Sequence, residues 1–202
     1  YVKVYDKDGR LAFECNIGCA NWVWSVFNAT VEWFSSLWTG KTNYKPCQLS
    51  GVVIKKDGTI IVGNTRHSML TEHSPVDGSL IRAIPVRIRP WYMALDGCGR
   101  LAVSGATREV DIVDKSGNRL VTITPTINGR PVRFCRGMCY HASSLYIALD
   151  NMDTGHVHRY DNGGRFLACV AQGLNHPTQI IFTADGLMAV NDWSSVKVYC
   201  KV

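Results

Sequence analysis

The stretch QIIFTADGLMAVND at residues 179–192, followed by VKVY at 196–199, places two apolar runs around an Asp-Gly turn and adds a third, alternating run. Val, Ile and aromatic residues favour strands, and Asp-Gly between two such runs is typical of a hairpin. A similar ending opens the chain, where VKVYDKDGRL spans residues 2–11. The stretch therefore predicts a unit of antiparallel strands that occurs more than once.

A unit of this kind recurs about every 42 residues. The turns between its strands a and b are predicted at Asp57-Gly58, Gly97 to Gly99, Ala142 to Ser144 and Asp185-Gly186. The turns between strands c and d are predicted at Asp8-Gly9, Asp77-Gly78, Ser116-Gly117 and Gly163-Gly164. Four antiparallel strands at this period form a propeller blade, a small sheet that buries its faces against its neighbours. We therefore predict an all-β fold, a β-propeller of four-stranded blades.

The predicted blades cover residues 43–84, 87–124 and 130–170, with strands c and d of another blade at 1–15 and a last blade that begins at 174. The last blade ends shortly after strand c. Because both ends of the chain supply a strand c, they cannot complete one blade between them. We expect about four blades that belong to a six-bladed ring, so that residues 1–202 are a partial propeller. A closed four-bladed ring is the alternative.

One segment breaks the rhythm of the repeat. Gly9 and Gly78 occupy equivalent turns, and one period leaves roughly 27 residues between them unassigned. They fall at residues 16–42, where four of the six tryptophans lie among other apolar residues at near-helical spacing. We predict a short helical insertion that packs on the propeller or covers an open edge. A docking element and retained noncoding sequence are the alternatives.

The units resemble NHL repeats. The similarity rests on LNHP at residues 174–177, on the stretch at 179–192 and on VKVY at 196–199. The resemblance implies the C-terminal recognition domain of a tripartite-motif ubiquitin ligase, in which the propeller selects RNA or protein targets. Ligase activity would then reside in other domains, because no RING, B-box or coiled-coil segment is present in this sequence. A cytoplasmic location is the corresponding expectation.

Composition and motifs favour binding over catalysis. The formal net charge of +6 suits an anionic partner. The sequence shows no nucleophile elbow, no phosphate loop and no carboxylate pair at catalytic spacing. We therefore predict no catalytic residues, no cofactor and no enzymatic activity. Most of the eight cysteines are interpreted as buried thiols.

Two histidines are candidate ligands for a metal ion. His156 and His158 alternate onto one face of a predicted strand, and Asp150 and Asp153 are near in sequence. Surface residues on a hairpin are the favoured interpretation, so no metal site is predicted.

The two ends of each blade differ in chemistry. The a–b and c–d turns lie at one end, here called the turn face, and the b–c and d–a connections lie at the other, the loop face. The turn-face residues are explained by the backbone geometry of tight turns. A basic residue or His precedes Pro ahead of strand a in four blades. These pairs are Lys45-Pro46, Arg89-Pro90, Arg130-Pro131 and His176-Pro177.

The loop face is the predicted binding surface. Its candidate ligand-binding residues are Arg66, His67, Arg89, Trp91, Tyr92, Arg108, Arg130, Arg133, His176 and Trp193. Arg pairs with phosphate or carboxylate, and aromatic rings stack on bases or pack on side chains. We expect a protein or a single-stranded or structured RNA as partner, and neither DNA nor a membrane. A propeller enzyme of the amidating-lyase or lactonase type and an extracellular structural repeat domain are the alternatives.

Overall fold

The computed structural model describes residues 2–5, 11–15, 49–105, 107–152, 154–193 and 195–200. The helix predicted at 16–42 lies outside these residues. Every regular element within them is a β-strand, which confirms the all-β prediction. None of the described segments is a helix with the length and apolar character needed to cross a membrane.

The chain begins with an antiparallel pair, β1 (Val2–Tyr5) and β2 (Leu11–Cys15). Blade I contains β3 (Leu49–Ile54), β4 (Ile60–Asn64), β5 (Met69–His73) and β6 (Leu80–Pro85). Blade II contains β7 (Tyr92–Leu95), β8 (Leu101–Ser104), β9 (Val110–Val113) and β10 (Arg119–Ile123). A small hairpin of β11 (Thr126–Ile127) and β12 (Arg130–Pro131) follows. Blade III contains β13 (Phe134–His141), β14 (Ser144–Asp150), β15 (Gly155–Tyr160) and β16 (Phe166–Leu174). Blade IV contains β17 (Pro177–Phe182), β18 (Met188–Asp192) and β19 (Ser195–Tyr199).

The blades are arranged as a four-bladed propeller. Within each blade the strands are antiparallel and follow one another in sequence order. The innermost strands of consecutive blades are in contact, β3 with β7, β7 with β13 and β13 with β17. The predicted blades are therefore present, and the last one contains three strands, as expected. The six-bladed ring stays a prediction.

The core is divided into layers between blades, because side chains alternate across each strand. On β14, Leu145, Ile147 and Leu149 face blade II, and Tyr146 and Ala148 face blade IV. All five side chains are buried, so β14 is apolar on both faces. A third apolar layer lies between blades I and II. A strand that is covered by a neighbouring blade on each face therefore has a continuous apolar sequence, such as LYIAL at 145–149.

Asp residues set the turns of the turn face. The Asp96 carboxylate accepts hydrogen bonds from the backbone N–H groups of Cys98 and Arg100. Asp114 and Asp161 make the same pair of bonds in their own turns. The glycines of the predicted turns adopt positive φ at residues 58, 78, 99, 117, 164 and 186, a region in which L-residues are strained. The turns predicted within the described residues are confirmed.

The connection between blades II and III differs from the prediction. Strand a of blade III was expected to follow Arg130-Pro131, but β13 begins at Phe134 because the connection folds back as the β11–β12 hairpin. Ile127 and Val132 are buried in the layer between the two blades. Burial of these two side chains accounts for the hairpin, which leaves Arg130 exposed beside its tip.

Candidate binding face

The innermost strands line a central cavity of about 370 Å³. Each blade contributes to its wall. The lining residues are Gly51, Val52, Trp91, Tyr92, Met93, Gly137, Met138, Gln179, Ile180 and Ile181. Trp91 directly precedes β7 and therefore lies at the loop-face end of the cavity. Two predicted site residues, Trp91 and Tyr92, therefore line the cavity near its opening on the loop face.

Strand b of every blade ends in a buried polar residue on the loop-face side. These residues are Asn64, Ser104, Asp150 and Asp192. Each binds a neighbouring connection or strand, as buried polar groups require. Asn64 accepts a hydrogen bond from the backbone of His67, and Asp192 accepts one from the backbone of Asn175. The Ser104 hydroxyl donates to the carbonyl of Cys135. Hydrogen bonds to the polar residues at the ends of strand b thus hold the connections of the loop face in place.

Asp150 is the centre of a cluster of hydrogen-bonded side chains. Its carboxylate lies 2.7 Å from Arg136 Nη2 and 3.0 Å from His176 Nδ1. It also accepts a hydrogen bond from the backbone N–H of Met152. Burial alone would raise the pKa of Asp150, but the three hydrogen bonds outweigh it and hold the pKa below the ordinary value. Asp150 is therefore ionised at neutral pH and links strand b to the connection that carries His176.

Aromatic rings surround this cluster. The ring centroids of His176 and Trp193 are 5.3 Å apart, and Trp193 is 73% exposed. The guanidinium groups of Arg133 and Arg136 lie over the Phe134 ring, 5.1 and 5.5 Å from its centroid. Arg133 also contacts the sulfur of Met152. The loop face of blades III and IV thus presents aromatic and cationic groups side by side.

The charges of the loop face are unbalanced. The acidic groups of this face that the structure describes are paired: Glu109 and Asp111 with Arg87, Asp150 with Arg136 and Asp192 with Lys197. Arg89, Arg108 and Arg130 are exposed, and none of them has an ion-pair or hydrogen-bond partner for its side chain among the described residues. Exposed positive charge therefore remains available on this face.

The structure places all ten predicted residues on the loop face. The sequence neighbours Trp91 and Tyr92 both line the cavity, and the rings of His176 and Trp193 lie close together. Within the described part of the chain, no contact joins Arg89, Arg108 and Arg130 to one another. The role of these residues in binding stays a prediction.

Three residues of this site were not predicted from the sequence. Phe134, Arg136 and Asp150 form its most tightly connected part. For Asp150 the sequence does contain a signal, because Asn or Asp ends strand b in three blades, in VGN, ALD and VND.

Two predictions about individual side chains are wrong. His158 is 5% exposed, so it is not a surface residue of a hairpin. Of the five described cysteines only Cys135 is buried, whereas Cys98, Cys169 and Cys200 are exposed. Cys169 is exposed because the outer strand of a blade has only one covered side, whereas Cys98 lies in a turn and Cys200 follows the end of β19.

The structure resembles solved propellers at low sequence identity. A computationally designed protein, Ika4, matches with a TM-score of 0.58 and 11% identity over 80% of this chain and 96% of that chain. A catalytically inactive virginiamycin B lyase from Staphylococcus aureus with quinupristin matches with a TM-score of 0.59 and 13% identity over 78% of this chain and 57% of the lyase. Hydrazine synthase from Kuenenia stuttgartiensis gives a TM-score of 0.59 and 16% identity over 80% of this chain and 52% of that chain.

The chain thus spans little more than half the length of these two natural proteins. No protein-family model and no curated protein sequence matches it. Structural similarity at 11–16% sequence identity establishes the fold alone. The function has to be inferred from the site. By its fold, the chain is a β-propeller with four described blades.

Proposed function

We propose that this chain is a recognition module that binds single-stranded RNA on its loop face, as a propeller of the NHL type. The observation that carries the proposal is the imbalance of charge. Arg89, Arg108 and Arg130 are exposed without a partner among the described residues, while the described carboxylates of this face are already paired. Such a surface attracts a polyanion, because phosphate contacts release counterions from the nucleic acid.

The aromatic side chains favour RNA over an acidic protein. Trp193 is 73% exposed and Trp91 is 46% exposed, and each offers a ring face on which an unpaired base can stack. A protein partner would instead have to enclose these rings fully at the centre of its interface. Guanidinium groups together with open indole rings are the combination that single-stranded RNA recognition uses.

The test compares arginines on opposite faces. We expect the R89A/R108A/R130A variant to lose affinity for a fluorescent oligouridine, and its logarithmic salt slope to be shallower by about 0.7 units per phosphate contact removed. Arg165→Ala, which removes an exposed cation near the c–d turn of blade III, is the matched control and should keep the wild-type slope. Fluorescence anisotropy over a series of salt concentrations measures both quantities.

Equal slopes in the triple variant and in Arg165→Ala would contradict the proposal. Binding of an acidic peptide, with loss of that binding in the triple variant and no binding of oligouridine, would retain the face and replace the ligand class. Trp193→Ala should weaken RNA binding by roughly 1–3 kcal/mol with little change of the salt slope, because stacking involves no phosphate.

A lyase is the second candidate function. The structural similarity to virginiamycin B lyase and the His176–Asp150 pair on the loop face favour it. The two functions differ in turnover, since a recognition module leaves its ligand unchanged. Chromatography of quinupristin after incubation with the chain distinguishes them, and we expect the compound to be recovered intact.

A further inference from the structure

Two histidines and a cysteine come together on the outer strands of blade III. His156 and His158 are two residues apart on β15, so their side chains project from the same face. Cys169 lies on β16, directly opposite His158 in the register of the two strands. Cross-strand partners share a face of the sheet. The three side chains therefore meet on one side of the blade, at a distance from the innermost strand.

Their atoms are spaced as metal ligands are. One ligand atom of each residue lies within 4.8 Å of the other two, and His156 Nδ1 is 3.7 Å from Cys169 Sγ. Tetrahedral zinc, with bonds of about 2.0–2.1 Å to nitrogen and about 2.3 Å to sulfur, separates such a nitrogen and sulfur by about 3.5 Å. Small side-chain rotations would complete the arrangement. Among the described residues this is the one group of three His, Cys or acidic side chains with such spacing.

We propose that His156, His158 and Cys169 bind a zinc ion. Two imidazoles and a thiolate are ligands that Zn²⁺ prefers, and three protein ligands leave a fourth tetrahedral position open. A cleft of about 330 Å³ adjoins the site and is lined by His158, Tyr160 and Phe166 together with residues 122–126. The fourth position has room for a water molecule or an external ligand on this side.

A second hydrogen bond orients the His158 ring for a metal. His158 Nδ1 lies 3.4 Å from the Tyr160 hydroxyl, so an Nδ1–H can donate to that oxygen and leave Nε2 for the metal. Metal-binding histidines are commonly oriented by such a second hydrogen bond.

Cys169 changes state when the ion binds. Its thiol donates a hydrogen bond to the carbonyl of Ala171 at 3.3 Å, so the free site holds an S–H group. Zinc binding forms the Zn–S bond, breaks the S–H bond and releases the proton to solvent.

Cobalt provides a direct probe because a thiolate bound to Co²⁺ gives an intense charge-transfer absorption. The chain, stripped of metal with a chelator and kept reduced, should develop this absorption with one equivalent of Co²⁺, and Zn²⁺ should abolish it by displacement. Cys169→Ser should lose the absorption, and His156→Gln should weaken Zn²⁺ binding by about 10-fold or more in competition with a chromogenic chelator. Cys98→Ser removes an exposed thiol in the a–b turn of blade II and should change neither result.

The variants are chosen at positions that the fold tolerates. Cys169 is exposed and His156 is partly exposed, whereas His158 is buried and its replacement could disturb the blade. Absence of the charge-transfer absorption in the wild-type chain, or its persistence in Cys169→Ser, would overturn the proposal. Equal Zn²⁺ affinities of the wild type and His156→Gln would do the same. Binding of RNA at the loop face is independent of every one of these outcomes.

Discussion

At the scale of single residues, the loop face depends on the buried polar groups that end strand b. Asp150 is the most heavily engaged of them, with Arg136, His176 and the backbone of Met152 as donors. A buried carboxylate is tolerated only when it is paired and hydrogen-bonded in this way. The position of His176, and through it that of Trp193, therefore depends on one side chain that the solvent does not reach.

We predict that Asp150→Asn destabilises the chain by about 2 kcal/mol at neutral pH, because hydrogen bonds to a charged group are lost without a change of shape. The pKa of Asp150 is lowered on folding from an ordinary value of 3.8. Its ionised form therefore stabilises the fold above pH 3.8, and this contribution is lost as the pH falls toward the pKa of the folded state.

Urea denaturation at several pH values measures the effect. The difference between the wild type and Asp150→Asn should shrink as the pH falls below 3.8. Asp185→Asn, at an exposed turn, is the control and should shift the midpoint far less. A difference that stays constant with pH would show that the charge of Asp150 is not what stabilises the fold.

Residue-level features were predictable where they are local. The Asp-Gly turns involve neighbours in sequence, so composition and spacing were sufficient to find them. Asp150 meets partners 14 and 26 residues away, and the sequence carries no local signal for those contacts. Cys169 lies opposite His158 because the pairing of β15 with β16 contains register shifts. The alternation of residue types in the sequence does not predict where such shifts occur.

At the scale of elements, the blades approach each other backbone to backbone. Gly137 on β13 faces β17, and a Cβ at this position would lie 2.6 Å from the Cα of Gln179. Gly105 and Gly63 make similar approaches to the connection that precedes β7. Glycine at these positions lets the innermost strands and their connections pack closely around the cavity.

We predict that Gly137→Ala destabilises the propeller by about 1–3 kcal/mol, because the added methyl group meets backbone atoms that cannot move aside. Gly97→Ala is the control, since a Cβ at Gly97 has no atom within 4 Å. Urea midpoints followed by circular dichroism compare the two. Equal midpoints would mean that blades III and IV are not packed as described.

Most elements could be predicted from the sequence, and one could not. Blade strands repeat at a regular period, and their turns carry Gly at positions that need positive φ. The β11–β12 hairpin lies outside the repeat and depends on burial of Ile127 and Val132 between two blades. Tertiary packing decides whether this hairpin forms. A connection of this length is too short to show a periodic pattern that would predict it.

At the scale of the whole molecule, blade IV shows apolar surface on its strands. Ile181, Val196 and Val198 are 60–66% exposed, and β19 has no outer partner strand among the described residues. In a propeller such a face is covered by the next blade. The larger ring, in which a further blade would cover this surface, stays a prediction.

Three exposed arginines without a partner among the described residues lie on the loop face, namely Arg89, Arg108 and Arg130, together with paired carboxylates. The turn face keeps its carboxylates for the turns themselves, as Asp96, Asp114 and Asp161 show. The separation of the two faces was predictable because antiparallel strands fix which connections share an end. The ion pairs that neutralise the acids of the loop face were not, because they join residues from different strands.

Photo-crosslinking tests the binding face most directly. The chain is irradiated with oligouridine and digested, and the crosslinked residues are identified by mass spectrometry. We predict crosslinks at Trp91 and Trp193, the exposed rings of the loop face, and their loss in the R89A/R108A/R130A variant but not in Arg165→Ala. Crosslinks confined to the turn face, or unchanged by the triple variant, would contradict this prediction.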